Sequence, residues 1–111
     1  MRNKLDSYLG FAKKSGNLVS GTNTCLVTMK KGKVRLLMIT EDTSENTAAK
    51  LKKEAERQKI PYRVYGNSDE LSPVIGESGR SVFGITDANF AGVILKEIDQ
   101  GRLCEKGGSR V

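Results

Sequence analysis

The run Val34 to Thr40, VRLLMIT, constrains the fold more than any other segment of this chain. Positions 36–39 are four consecutive aliphatic side chains. An extended strand points successive side chains to opposite faces, so this one is apolar on both sides and needs cover on both. Such a strand belongs inside a sheet that has helices above and below it.

The flanking segments supply those helices. Leu5, Tyr8, Leu9 and Ala12 recur at i, i+3, i+4, i+7 among polar residues, which is an amphipathic helix ended by Ser15-Gly16-Asn17. Leu18-Val19 is a short strand. Gly21-Thr22-Asn23 opens a second helix with Cys25, Leu26 and Met29 inward and Gly32 closing it. After VRLLMIT, Glu41 to Ser44 form a loop, and Thr43 or Ser44 caps a helix to about Lys59 with Ala48, Leu51 and Ala55 inward. Pro61 stops that helix and Tyr62 to Tyr65 is a strand. Asn67-Ser68-Asp69 caps a short helix that contains Pro73, and Gly76-Glu77-Ser78-Gly79 is a loop. Ser81 to Thr86 form the last strand, and Asp87 opens a final helix with Phe90, Ala91, Ile94, Leu95 and Ile98 on its apolar face.

The order α-β-α-β-α-β-α-β-α predicts an α/β protein, a three-layer α/β/α sandwich around a four-stranded mixed sheet. A length of 111 residues is one domain's worth, placed here at residues 1–100. Gly101 and Gly107-Gly108 mark residues 101–111 as a mobile tail poor in apolar side chains. No apolar run approaches the roughly 20 residues of a membrane span, and the N-terminus lacks a signal-type apolar stretch. A cytoplasmic protein with no membrane partner is therefore expected.

The chain contains no histidine, no GxGxxG after its first strand and no Gly-rich loop ending in Lys-Ser/Thr, so the sequence argues against an enzyme. Cys25 and Cys104 are far apart and have no CxxC spacing, which leaves no metal site and no cofactor to expect. Cys25 falls in the inward pattern of its helix and reads as a core residue. Glu41-Asp42, at the end of the buried strand, reads as a loop acid before a capped helix.

Charge is more informative by position. Residues 1–40 carry eight basic side chains against Asp6 alone, a formal +7, whereas the whole chain is +6. The excess therefore belongs entirely to the first part, which suggests a polyanion-binding face. Within it, the strand-to-helix turn at Gly21-Thr22-Asn23 aims unpaired backbone N–H groups and the positive end of a helix dipole outward, suited to a phosphate. An ordinary Thr or Asn side-chain cap explains the same residues without a ligand. Asn23, Val27 and Lys30 fall at i, i+4, i+7 on one face, and Lys31, Lys33 and Arg35 extend positive charge beyond it. An amide able to read a base edge beside phosphate-neutralising lysines suits RNA recognition.

These segments resemble the kink-turn-binding ribosomal protein family often written L-seven-Ae, especially its short bacterial members of the YlxQ type. The resemblance spans roughly Lys4 to Ile98. It rests on SGNLVSGTN at Ser15 to Asn23, KGKVRLLMITEDTSENT at Lys31 to Thr47, the Ile60-Pro61 break and VFGITDANFA at Val82 to Ala91. It implies an α/β/α sandwich that binds a sharply bent RNA duplex through the helix-opening loop and the loop before the last strand. Gly21 would then be the close-approach glycine, Thr22 a backbone or phosphate contact, and Asn23 the reader of a guanine in a sheared pair. Gly76 would end the helix before the second loop of Glu77, Ser78 and Gly79.

The chain departs from that pattern. Family members that bind kink-turns tightly usually have Glu at the place of Thr24, Lys at Val27, a basic residue at Ser20 and glycine at Ser72, with apolar groups at Glu77 and Ser78. The reading is thus an RNA-binding protein, ribosomal or ribosome-associated, with ribosomal or translation-associated proteins as further partners. Its expected RNA-binding residues are Lys14, Gly21, Thr22, Asn23, Thr24, Lys30, Lys31, Lys33, Gly76, Glu77, Ser78 and Gly79. The alternative is a protein-interaction module on the same fold, which the less polar Thr24 and Val27 favour.

Overall fold

The apolar run takes an interior place in the sheet, as its two-sided hydrophobicity demands. In the computed structural model the described residues run from Lys4 to Arg110, with side chains described for residues 5–99. The elements are α1 (Lys4–Lys14), β1 (Leu18–Ser20), α2 (Thr22–Lys30), β2 (Leu36–Ile39), α3 (Glu45–Arg57), β3 (Tyr62–Val64), α4 (Ser68–Leu71), β4 (Val82–Ile85) and α5 (Ala88–Arg110). The strands form one mixed sheet in the order β1-β4-β2-β3. β4 is antiparallel to both β1 and β2, and β3 runs parallel to β2. The three-layer sandwich with a four-stranded mixed sheet is what the alternation of elements predicts.

Strand alternation divides the core in two. Leu36 and Met38 of β2, with Phe83 and Ile85 of β4, pack against Leu5, Leu9 and Ala12 of α1 and Ala91, Ile94 and Ile98 of α5. Leu37, Ile39 and Val82 point the other way, onto Cys25 and Met29 of α2 and Leu51 and Ala55 of α3. Each β2 side chain is at most 1% exposed. At about 25 cal/mol per Å² of apolar surface removed from water, burial on both faces makes this strand contribute to both halves of the core.

Local chemistry sets the element ends. α3 begins at Ser44, whose hydroxyl accepts the Thr47 N–H, and Asp87 similarly accepts the Phe90 N–H at 3.0 Å to open α5. The short helix expected to include Pro73 is split. Proline has no N–H to continue the helical ladder, so α4 ends at Leu71 and a 3₁₀ turn, Pro73–Ile75, follows. α5 continues to Arg110, past the end expected at Gln100, because glycine weakens a helix interior without forbidding it. The side chains of residues 100–110, Cys104 among them, lie outside the described residues. Among the described residues no helix is long and apolar enough to cross a membrane.

Gly84 lets the layers close. A Cβ there would stand 3.1 Å from Val19 Cγ2, 3.4 Å from Val34 Cγ2 and 3.5 Å from the Cys25 sulfur. A side chain in the middle of β4 would therefore press on Val19 of β1 and on Val34, and would only touch Cys25 of α2. Gly84→Ala should destabilise the fold by about 1–3 kcal/mol through overpacking, read as a lowered midpoint in urea unfolding. An unchanged midpoint would show that the Val19 and Val34 side chains give way freely.

Candidate functional site

The sheet order brings together two loops that are remote in sequence. β1 leaves the sheet where β4 enters it, and the Gly21 N–H donates to the Val82 carbonyl at 2.9 Å, fixing the first loop to the start of β4. Gly21 adopts φ 97°, ψ 146°, a region closed to residues with a side chain except at a strain cost. Its carbonyl accepts the Cys25 N–H at 3.0 Å and so closes the first turn of α2.

That helix has no side-chain cap and no acidic residue in its first turn. The ordinary capping role for Thr22 or Asn23 is thus not what the geometry contains. The N–H groups of Thr22, Asn23 and Thr24 have no acceptor among the described residues, and helix geometry aims them out past the end of α2. Asn23 and Thr24 are exposed beside them.

The second loop hangs from a buried serine. Gly76, in the left-handed conformation at φ 74°, ends the 3₁₀ turn, and the Glu77 N–H donates to the Ser72 carbonyl at 2.9 Å. The Ser72 hydroxyl accepts the Arg80 N–H and donates to the Arg80 carbonyl, each at 2.8 Å. Glu77 then joins three elements. Its Oε2 lies 3.1 Å from Lys13 Nζ at the end of α1, and its Oε1 lies 3.5 Å from Arg80 Nε. The hydrogen bond from Lys13, and then the Lys13 charge, hold the Glu77 carboxyl below its usual range. Arg80 Nη1 in turn lies only 3.1 Å from the position a Cβ on Gly21 would take. Lys13, Glu77, Arg80 and Gly21 therefore form one bridge from α1 across the second loop to the opening of α2.

Below the opening, Asn23, Thr24, Val27, Thr28 and Lys31 line a shallow concavity of about 340 Å³. Val27, 52% exposed, lies on it as an apolar patch. Lys31, one residue beyond the Asn23, Val27 and Lys30 face, also lines this concavity. Lys30 is close enough to α3 for its charge to help lower the Glu54 carboxyl, behind the larger effects of the Arg57 and Gln58 hydrogen bonds. Lys33 lies past the far end of α2, roughly 14 Å from the opening at 1.5 Å of rise per residue. Lys14 is exposed at the end of α1, but its neighbour Lys13 makes the contact to the second loop. Ser78 and Gly79 are exposed on that loop, with Gly79 at φ 70°.

Sequence reasoning missed Lys13, Arg80 and the double hydrogen bond of Ser72. Arg80 carried a usable signal, since it is the only basic residue from Gly66 to Leu95 and directly follows Gly79. The other chemistry-bearing residues are structural. Burial pushes the Cys25 thiol up to about 12, so it remains an inert core group. Among the described residues no three Cys, Asp or Glu side chains converge as a metal site.

The profile of the Ribosomal protein L7Ae/L30e/S12e/Gadd45 family matches residues 3–95. The chain belongs to that family. It is similar to the RNA-binding protein YlxQ of Bacillus subtilis (strain 168), 31% identical over 91 residues, which cover 82% of this chain and 91% of that protein. A second relative, the RNA-binding protein YlxQ of Enterococcus faecium, is 30% identical over 81% of this chain and 86% of its own length. Among solved structures, a protein of unknown function from Bacillus halodurans C superposes with a TM-score of 0.85 at 31% identity, covering 88% of this chain and 99% of that one. The Giardia lamblia 15.5kD RNA binding protein shares the fold with a TM-score of 0.74 at 18% identity, covering 90% of this chain and 92% of that one.

Asp42 reads as a structural acid. Its carboxylate accepts the Ser68 hydroxyl at 2.6 Å and the Ser68 N–H at 3.0 Å, tying the loop after β2 to the start of α4. The Ser68 hydroxyl is the main reason the carboxyl falls from 3.8 to about 2. The folded value lies below the unfolded one, so the stabilisation is present above about pH 4 and is lost as pH falls from there towards 2. Asp42→Asn should flatten the acid dependence of the urea midpoint across that window. Identical acid dependence in both proteins would show that Ser68 does not hold the carboxylate.

Proposed function

We propose that this chain is a non-enzymatic, ribosome-associated RNA-binding protein of the cytoplasm, and that its ligand is a sharply bent, kink-turn-like RNA. The observation that carries the reading is the uncapped start of α2, with three free N–H groups and no acid in its first turn, set beside the Arg80 guanidinium. Two sources of positive potential that converge on one exposed spot suit a phosphate backbone. The two relatives named RNA-binding protein YlxQ support the same class of ligand.

In this reading Gly21 admits the RNA backbone at close range, and the N–H groups of Thr22 to Thr24 face a phosphate. Asn23, exposed on the rim of the concavity, reads a base edge by paired hydrogen bonds. Lys31 neutralises a phosphate along α2, with Lys30 and Lys33 further down and Lys14 at the end of α1. Gly76, Glu77, Ser78 and Gly79 close over the other side. The Glu77 carboxylate is tolerable near RNA because Lys13 and Arg80 flank it.

A protein partner is the second reading, and the exposed Val27 is the observation in its favour. A ribosomal or translation-associated protein docked there would cover the apolar patch while the helix opening stays free. Pull-down before and after nuclease separates the two, since an RNA ligand is lost with nuclease and a protein ligand is not.

Filter binding to a kink-turn duplex and to a straight control, across salt concentrations, tests the main reading. The bent duplex should bind at least about tenfold more tightly, because only it meets both loops at once. Equal affinity for both would leave non-specific electrostatic attraction alone. Val27→Lys should add one phosphate contact, tightening binding and steepening the salt dependence by about one unit.

A further inference from the structure

Arg80 is placed by an unusual device. The loop that carries it contains two glycines in the left-handed conformation, Gly76 and Gly79, and such a loop has little stiffness of its own. Its outer residue nevertheless reaches across to Gly21. What holds Arg80 is neither a strand partner nor a side-chain ion pair of any strength, since the Glu77 contact is 3.5 Å long on a 45% exposed arginine. Exposed pairs of this kind contribute little.

The hold is on the backbone. Ser72 is 1% exposed, and its hydroxyl takes the N–H and the C=O of Arg80 together. In an antiparallel sheet a partner residue would supply one acceptor and one donor to those groups, and here a single side-chain oxygen supplies both. The helical backbone of Ser72, at φ −57°, ψ −46°, anchors that oxygen between α4 and the 3₁₀ turn.

We propose that Ser72 is a positioning residue of the RNA interface: its hydroxyl clamps the Arg80 backbone so that the guanidinium stands over the opening of α2 and meets the same phosphate group as that helix. The inference rests on the RNA-binding reading above. It goes beyond it by making affinity depend on a buried hydroxyl that never touches the ligand. Loss of the hydroxyl frees residues 76–80 and lets the guanidinium swing into solvent, while the sheet and both cores keep their contacts.

The test uses the full chain with the kink-turn duplex. Arg80→Ala should weaken binding by about tenfold and reduce the salt slope by about one, as expected for one lost phosphate contact. Ser72→Ala should weaken binding by a similar factor and reduce the slope in the same way. Ser72→Thr, which keeps a hydroxyl, should restore most of both. The double variant Ser72→Ala/Arg80→Ala should bind no more weakly than Arg80→Ala, because residues acting through one contact are not additive.

A purely structural role would behave differently. It would lower the folded fraction, seen by circular dichroism, and weaken binding while leaving the salt slope of the folded protein unchanged. Normal binding with an unchanged slope in Ser72→Ala, or additive losses in the double variant, would overturn this proposal and leave the RNA reading standing. Failure of the unsubstituted protein to bind RNA would overturn both.

Discussion

The antiparallel pairing of β4 with β1 is the constraint on which the rest of the molecule depends. Antiparallel neighbours place the exit of one strand beside the entry of the other, and the register Ser20↔Phe83 does so here. Gly21 and Arg80, far apart along the chain, thereby become neighbours in space. The same strand carries Gly84, whose missing side chain leaves room for Val19 of β1 and for Val34. One strand therefore anchors the opening of the helix, through the Val82 carbonyl, and carries the loop that faces it. Neither loop could form the site without β4 between β1 and β2.

Electrostatics then shape the surface more than they stabilise it. Lys13, Glu77 and Arg80 are partly exposed, and ion pairs in that setting contribute about 0–1 kcal/mol each. Their effect is on the local charge pattern, with a carboxylate flanked by two cations. Asp42 acts differently, because its two hydrogen bonds from Ser68 fasten the loop after β2 to the start of α4. The positive charge concentrated in residues 1–40 is thus divided on folding. Lys13 is engaged with the second loop and Lys30 lies within the field of α3. Lys31 lines the concavity below the helix opening.

Most of the architecture was legible because it follows from local periodicity. The two-sided apolar run at 36–39, the helical spacing of Leu5, Leu9 and Ala12, and the caps at Ser44 and Asp87 are near-neighbour patterns that a linear reading can detect. The limits appeared where nearness is tertiary. The 3.6-residue period put Asn23, Val27 and Lys30 on one face, but it could not show that Lys30 also lies near enough to α3 to act on the Glu54 carboxyl, or that Lys31 lines the concavity. Ser72 looked like a departure from a glycine, and nothing in its surroundings along the chain announces a hydroxyl bonded to a residue eight positions later. The absence of a side-chain cap on α2 could not be read from Thr22 or Asn23, because both are residues that cap helices elsewhere.

The two outer strands, β1 and β3, are three residues each, shorter than the four-residue strands they enclose. A sheet edge offers unpaired backbone groups to any extended chain that comes near, and its capacity to capture one grows with length. Three residues give a stray chain too few ladder bonds to offset the entropy of ordering it. Within β3, Arg63 also fastens to Asp99 of α5 at 2.9 Å, which places a charged pair on this edge strand. A sheet with so much buried aliphatic strand thus presents only short rims to other extended chains, which limits edge-to-edge pairing.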